Sequence, residues 1–106
     1  EATKSKLSED EKKRAVTRLD ILTPEQRHTL LWLRHHDKQE FQGWHNDGIL
    51  RSLRKLKLIE EHEETLEYYS RYVVPAHIWN ELELDEEQIR HLGKEEPWKR
   101  RLKRRV

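Results

Sequence analysis

The residues of this chain best suited to chemistry are its cations. Arg51, Arg54, Lys55 and Lys57 share a short stretch with Ile49, Leu50, Leu53 and Leu56, and these apolar residues fall at i, i+1, i+4 and i+7. That spacing predicts an amphipathic helix from Asp47 to Lys57, with one apolar stripe and the cations on the other faces. Guanidinium and ammonium groups so arranged contact phosphates, and a bidentate Arg reads guanine. The next residues oppose such use. Glu60, Glu61, Glu63 and Glu64 put four carboxylates within five positions, and carboxylates beside a phosphate backbone weaken the term that dominates nucleic-acid affinity. A protein partner is thus favoured over DNA, and tight sequence-specific DNA binding is not expected of this helix.

A second cationic stretch closes the chain. PWKRRLKRRV carries Lys99, Arg100, Arg101, Lys103, Arg104 and Arg105 without an acidic residue, and spaces Trp98, Leu102 and Val106 four apart. Such a segment lies on an anionic membrane, tracks nucleic-acid phosphate or docks on an acidic protein face; the plainer alternative is a disordered, solubilising end. Read as a free tail, it should be removable from Pro97 onward with little change in melting temperature.

Catalysis needs convergent groups, and none is written here. Ser5, Ser8, Ser52 and Ser70 lie outside any nucleophile elbow, and the three glycines form no phosphate loop. The pairs Glu60-Glu61, Glu63-Glu64 and Glu86-Glu87 read as solvated faces. His35, His36, His45 and His62 approach a predicted hairpin and turn, but without zinc-site spacing or a Cys pair. No enzymatic activity, cofactor or metal is expected. Trp44 and Trp79 read as packing residues rather than base-stacking platforms.

The elements that must position these groups belong to one small domain. With 106 residues, 33% hydrophobic and 41% charged, the chain supports a modest core built from four Trp, three Tyr and regularly spaced Leu. The first 96 residues hold 16 basic and 21 acidic side chains, a net of −5, against +6 in the last ten. The absence of Cys excludes a disulfide framework. The longest strictly apolar run, Leu30 to Leu33, is far short of the roughly 20 residues that span a bilayer. A chain that lacks Met and opens on Glu1 reads as a soluble fragment of a longer protein. A cytoplasmic location is expected, with any membrane association made through segments outside this chain.

Residues 1–20 read as a charged lead-in, helical after the Ser8/Glu11 capping box and partly frayed. Residues 21–93 form the domain proper and 94–106 the basic tail. Thr23-Pro24-Glu25-Gln26 combines a Thr cap, Pro at the first helical position and Gln closing a capping box, so a helix runs from Pro24 to about His36. Gln42-Gly43-Trp44 reads as a turn or a short extended piece. Leu58-Ile59 starts a strand, Glu61 to Thr65 turns, and Glu67 to Val74 returns, ending at Pro75. Short helices follow over Ala76 to Leu82 and, with Asp85/Gln88 as a capping box, over Glu86 to Leu92. Leu30, Leu31, Leu33, Leu50, Leu53, Leu56, Ile59, Val73, Ile78 and Leu82 are the expected core.

This order of helix, short helix-turn, helix, two-stranded hairpin and helix resembles the winged helix-turn-helix superfamily. The likeness is carried by ILRSLRKLKLIEEHE and SRYVVPAHIWNEL and spans roughly Thr23 to Leu82. It implies a small α+β domain. The segments LDILTPEQRHTLLWLRHH, DGILRSLRKLKLI and YVVPAHIWNEL also look like the soluble C-terminal domain of the superinfection exclusion protein B family of phages and prophages. That likeness implies an interaction module binding a protein or membrane-proximal partner; the alternative is a DNA-binding transcriptional regulator domain. The expected contact residues are Arg51, Arg54, Lys55 and Lys57 with Trp98, Lys99, Arg100, Arg101, Lys103, Arg104 and Arg105.

Overall fold

The computed structural model describes residues 8–44, 46–66 and 69–104; of residues 63–66 and 102–104 it describes the backbone. The architecture is α+β. Helices α1 (Glu9–Thr17), α2 (Pro24–His35), α3 (Gly48–Lys55), α4 (Ala76–Trp79), α5 (Glu86–Leu92) and α6 (Pro97–Arg104) surround a sheet of β1 (Glu40–Trp44), β2 (Glu60–Leu66) and β3 (Tyr69–Val73). The sheet is antiparallel in the order β1-β3-β2.

Helix α2 is the spine. Its start is fixed locally, because the Gln26 amide donates to Thr23 Oγ1 at 3.2 Å and the Thr23 amide donates to Gln26 Oε1 at 2.9 Å. All five residues from Thr29 to Leu33 are buried, so the helix is covered on every side over that turn, and α3, α5 and α6 pack against it. It ends as α3 does. Asp37 and Lys57 have φ of 56° and 66°, and the amides of Lys38 and Leu58 reach back to the carbonyls of Leu33 and Leu53. Both ends are therefore Schellman closures made without glycine.

Two expectations change here. The piece Gln42-Gly43-Trp44 belongs to a third strand, so the sheet has one strand more than the expected hairpin. Strand β1 alternates exposed and buried residues and pairs Phe41 with Tyr72 and Gly43 with Ser70. Its partner β3 arrives 29 residues later in the chain, which is why five mixed residues alone do not declare a strand. Residues 61–65, expected as a turn, instead lie within β2, which continues to Leu66 with irregularities after Glu61 and Glu64. The connection to β3 lies outside the described residues.

Eight of the ten expected core residues are buried, while Leu56 and Leu82 are partly buried against the core. The lead-in also contributes. Ser8 caps α1 by accepting from the Glu11 amide, Ala15 is fully buried, Val16 and Leu19 pack on the core, and α1 lies against α4. The expectation of a partly frayed lead-in is thus corrected for the described part, because these three residues share a buried face.

Candidate interaction surface

Helix α3 is placed by its apolar stripe and by a close approach to the sheet. Leu50 and Leu53 are fully buried. A Cβ on Gly43 would stand 2.5 Å from Leu50 Cδ1, so the absence of a side chain at that strand position lets the helix seat against β1. Asp47 caps the helix, with Oδ2 accepting from the Leu50 amide at 3.0 Å. At the other end Arg18 Nη1 donates to the Leu56 carbonyl at 2.7 Å, placing a cation at the negative end of the helix dipole. Gln26 Nε2 donates to Ser52 Oγ at 2.9 Å and ties α3 to α2.

Arg51, Arg54, Lys55 and Lys57 remain outside and are exposed. They are not equivalent. Arg54 Nη1 meets Glu61 Oε1 of β2 at 3.1 Å, so one of the four charges is already matched by the strand beside it. Arg51, Lys55 and Lys57 make no ion pair among the described residues. The resulting face is cationic along α3 and acidic along its border with β2, where Glu60 and Glu61 stand half-buried.

The last cationic segment is arranged differently, and its reading as a free or disordered end is corrected. Residues 97–104 are helical, and Trp98 is 1% exposed. Its ring stacks on Phe41 at 4.9 Å between centroids and meets Trp32 edge-on at 5.7 Å, geometries that aromatic pairs favour. One helical turn on, Arg101 donates through Nε to Asp47 Oδ1 at 2.9 Å and through Nη2 to Oδ2 at 2.6 Å. Its Nη1 reaches Glu25 Oε2 at 3.2 Å and Thr29 Oγ1 at 3.1 Å. The fork matches the carboxylate in the bidentate manner of strong charge-assisted bonds. Trp98 and Arg101 are thus internal residues, and α6 joins α2 to the cap of α3.

The neighbouring cations are partly matched too. Lys99 Nζ lies 2.6 Å from Glu96, whose carboxylate pushes the Lys99 pKa up by its hydrogen bond and charge. Arg100 approaches Glu25 at 3.9 Å. The side chains of Lys103 and Arg104, and Arg105 entirely, lie outside the described residues. Asp47 is the residue that the sequence undervalues, since its place at the start of the expected helix does not mark it as a counterion. The signal available was the i, i+3 spacing of Trp98 and Arg101, which puts a large apolar ring and a guanidinium on one face.

Three further groups, the half-buried His28 and His77 and the buried Tyr72, titrate away from their ordinary values, each in its own surroundings. Burial lowers the pKa of His28, aided by the Arg100 charge. Burial lowers that of His77, aided by Lys12. Burial raises that of Tyr72, as does the Glu61 carboxylate. Of the histidines weighed for metal binding, His35 and His36 contact each other at 5.0 Å and His36 also meets Trp32 at 4.2 Å. His62 lies 3.6 Å from Glu60, and His45 falls outside the described residues. Among the described residues no group of three or more His, Cys, Asp or Glu side chains is placed to hold a metal ion, and no helix is long and apolar enough to cross a membrane. Comparison of the chain with protein-family models, with curated proteins and with solved structures gives no match.

Proposed function

We propose that this chain is a non-enzymatic interaction module of winged-helix-like build, and that the outer face of α3 with the adjoining β2 strand contacts a protein partner. The strand order β1-β3-β2, with α3 leading directly into β2, supports the build. The observation that carries the choice of partner is the Arg54–Glu61 pair at the α3–β2 border. It partly neutralises the helix that would have to lie against phosphates and brings a carboxylate to the same edge. A mixed-charge face of this kind selects a protein surface of complementary pattern, with acidic groups opposite Arg51, Lys55 and Lys57. The perturbed groups support a non-catalytic role, since His28, His77, Tyr72 and Lys99 sit on four different elements and are tuned by different neighbours.

The cytoplasmic, superinfection-exclusion-type role implied by the sequence likeness is compatible with such a module, whose partner would be a protein beside the membrane. A DNA-binding regulator is the competing reading. The two separate in one experiment. A photo-crosslinking residue at Arg51, in the cells that make the protein, should capture a protein, and the capture should disappear when Lys55 is replaced by Glu. In parallel, a labelled random-sequence duplex should bind no tighter than the nonspecific range of about 10⁻⁶ to 10⁻⁴ M at physiological salt. Nanomolar binding of one duplex sequence, lost in Arg51→Ala or Arg54→Ala, would overturn the protein-partner reading.

A further inference from the structure

The face made by the end of α1, the start of α2 and the connection from α4 to α5 holds an open groove of ≈ 530 Å³. It owes its shape to the run Glu81-Leu82-Glu83-Leu84-Asp85. That stretch follows α4 without regular structure, and its alternation turns Leu82 and Leu84 onto the core while Glu81, Glu83 and Asp85 stay exposed. Opposite stand Leu19 and Leu22, partly buried, with exposed Asp20 between them. The floor is closed by buried Leu30 and Leu31 of α2.

Leucines thus form the floor and part of the walls, while polar and acidic groups make up the larger share of what the groove exposes. Asp85 is engaged as the cap of α5, but Asp20, Glu81 and Glu83 pair with no cation among the described residues. The one cation lining the groove, Arg27, is turned onto the Leu19 carbonyl at 2.6 Å. Four leucines, Leu19, Leu22, Leu82 and Leu84, are left only partly covered around this one groove, beside carboxylates that have no cation to meet among the described residues.

We propose that this groove docks a peptide segment of a partner protein in which leucine-like side chains alternate with lysine or arginine. The apolar side chains enter among Leu19, Leu22, Leu82 and Leu84, and the cations meet Asp20, Glu81 and Glu83. Charge complementarity sets the choice of occupant, since three carboxylates without a cation beside the groove's leucines repel an acidic or phosphate-bearing ligand and attract a basic one. The site is separate from the α3 face and does not depend on how that face is used.

The test uses the whole chain and a short fluorescent peptide of alternating leucine and lysine. Binding should shift the amide resonances of Leu22, Leu82 and Leu84 and weaken as salt is added. The double substitution Glu81→Lys with Glu83→Lys, at exposed positions that leave the fold intact, should weaken binding about tenfold or more through like-charge contacts. Arg51→Glu, on the far α3 face, should leave it unchanged. A serine-lysine peptide of equal charge should bind far more weakly, because it has nothing to place in the trough. Equal binding of that peptide, or unchanged affinity after the double charge reversal, overturns the proposal. So does a dimer in sedimentation that Glu83→Lys dissociates, since the occupant would then be a second copy of this chain.

Discussion

Helices α3 and α6 are each eight residues long and both concentrate positive charge, yet Arg51 and Lys55 of the first stand in solvent while the Arg101 side chain of the second is 13% exposed and grips a carboxylate that is 3% exposed. The difference lies in what each helix must bury. In α3 the apolar stripe is continuous, and the cations fall on the remaining faces, where their charge stays hydrated. In α6 the apolar anchor is Trp98, and the residue one turn further on the same face is an arginine. Burying that indole carries the guanidinium inward, and its desolvation is offset only because Asp47, Glu25 and Thr29 converge on it. Charge density along a sequence therefore does not separate a docking surface from an internal clasp; the groups waiting opposite do.

The contrast predicts that substitutions in the clasp unfold the domain and substitutions on α3 leave it standing. The largest effect is expected for Trp98→Ala, which removes a ring held between Phe41 and Trp32 and should cost about 3–5 kcal/mol. Chemical denaturation would measure it, and an unchanged midpoint would place α6 back among removable ends. Asp47→Ala follows at about 3 kcal/mol, combining loss of the α3 cap with an unpaired, largely buried guanidinium. A double-mutant cycle with Arg101→Ala should return a coupling energy well above that of a surface pair.

Proton uptake comes next in size. Burial holds the His28 and His77 pKa values below the ordinary 6.5, so the folded chain resists protonation that the unfolded chain accepts. The stability associated with these imidazoles is present above pH 6.5 and is lost as pH falls below it through the folded values. Thermal melts should accordingly drop on acidification in that window, and a His28→Gln, His77→Gln double variant should show a flatter slope. The smallest effects belong to α3. Arg54→Ala breaks an exposed pair worth about 0.2–1 kcal/mol, and Arg51→Ala should stay within about 0.5 kcal/mol of the parent while impairing partner capture. A large loss of stability in Arg51→Ala would erase the distinction between the two helices.

Much of the helical frame was legible because its signals are local. Thr23, Pro24 and Gln26 declare the start of α2 within four residues, Asp85 and Gln88 do the same for α5, and the leucines of α2 and α3 mark their buried faces. What escaped depends on distance. β1 becomes a strand only when Tyr72 and Ser70 arrive opposite Phe41 and Gly43. The clasp needs a carboxylate 54 positions from its arginine, and no windowed pattern joins the two. Periodicity accounts for Arg51, Arg54 and Lys55 on the outer face of α3, but the helix ends before Lys57, which closes it with a positive φ, and the Arg54–Glu61 pair required the turn of the chain into β2.

The clasp also bears on how the domain is made. Trp98 and Arg101 come later in the chain than every residue they hold, from Glu25 and Trp32 to Phe41 and Asp47. During synthesis the earlier helices and strands emerge first, and folding proceeds from that end. Until α6 has left the ribosome, the nascent chain displays the aromatic rings of Trp32 and Phe41 without their cover and an Asp47 without its counterion. A chain stopped ahead of Pro97 should thus be cut by a protease sooner than the chain that carries α6, a difference that limited proteolysis would show.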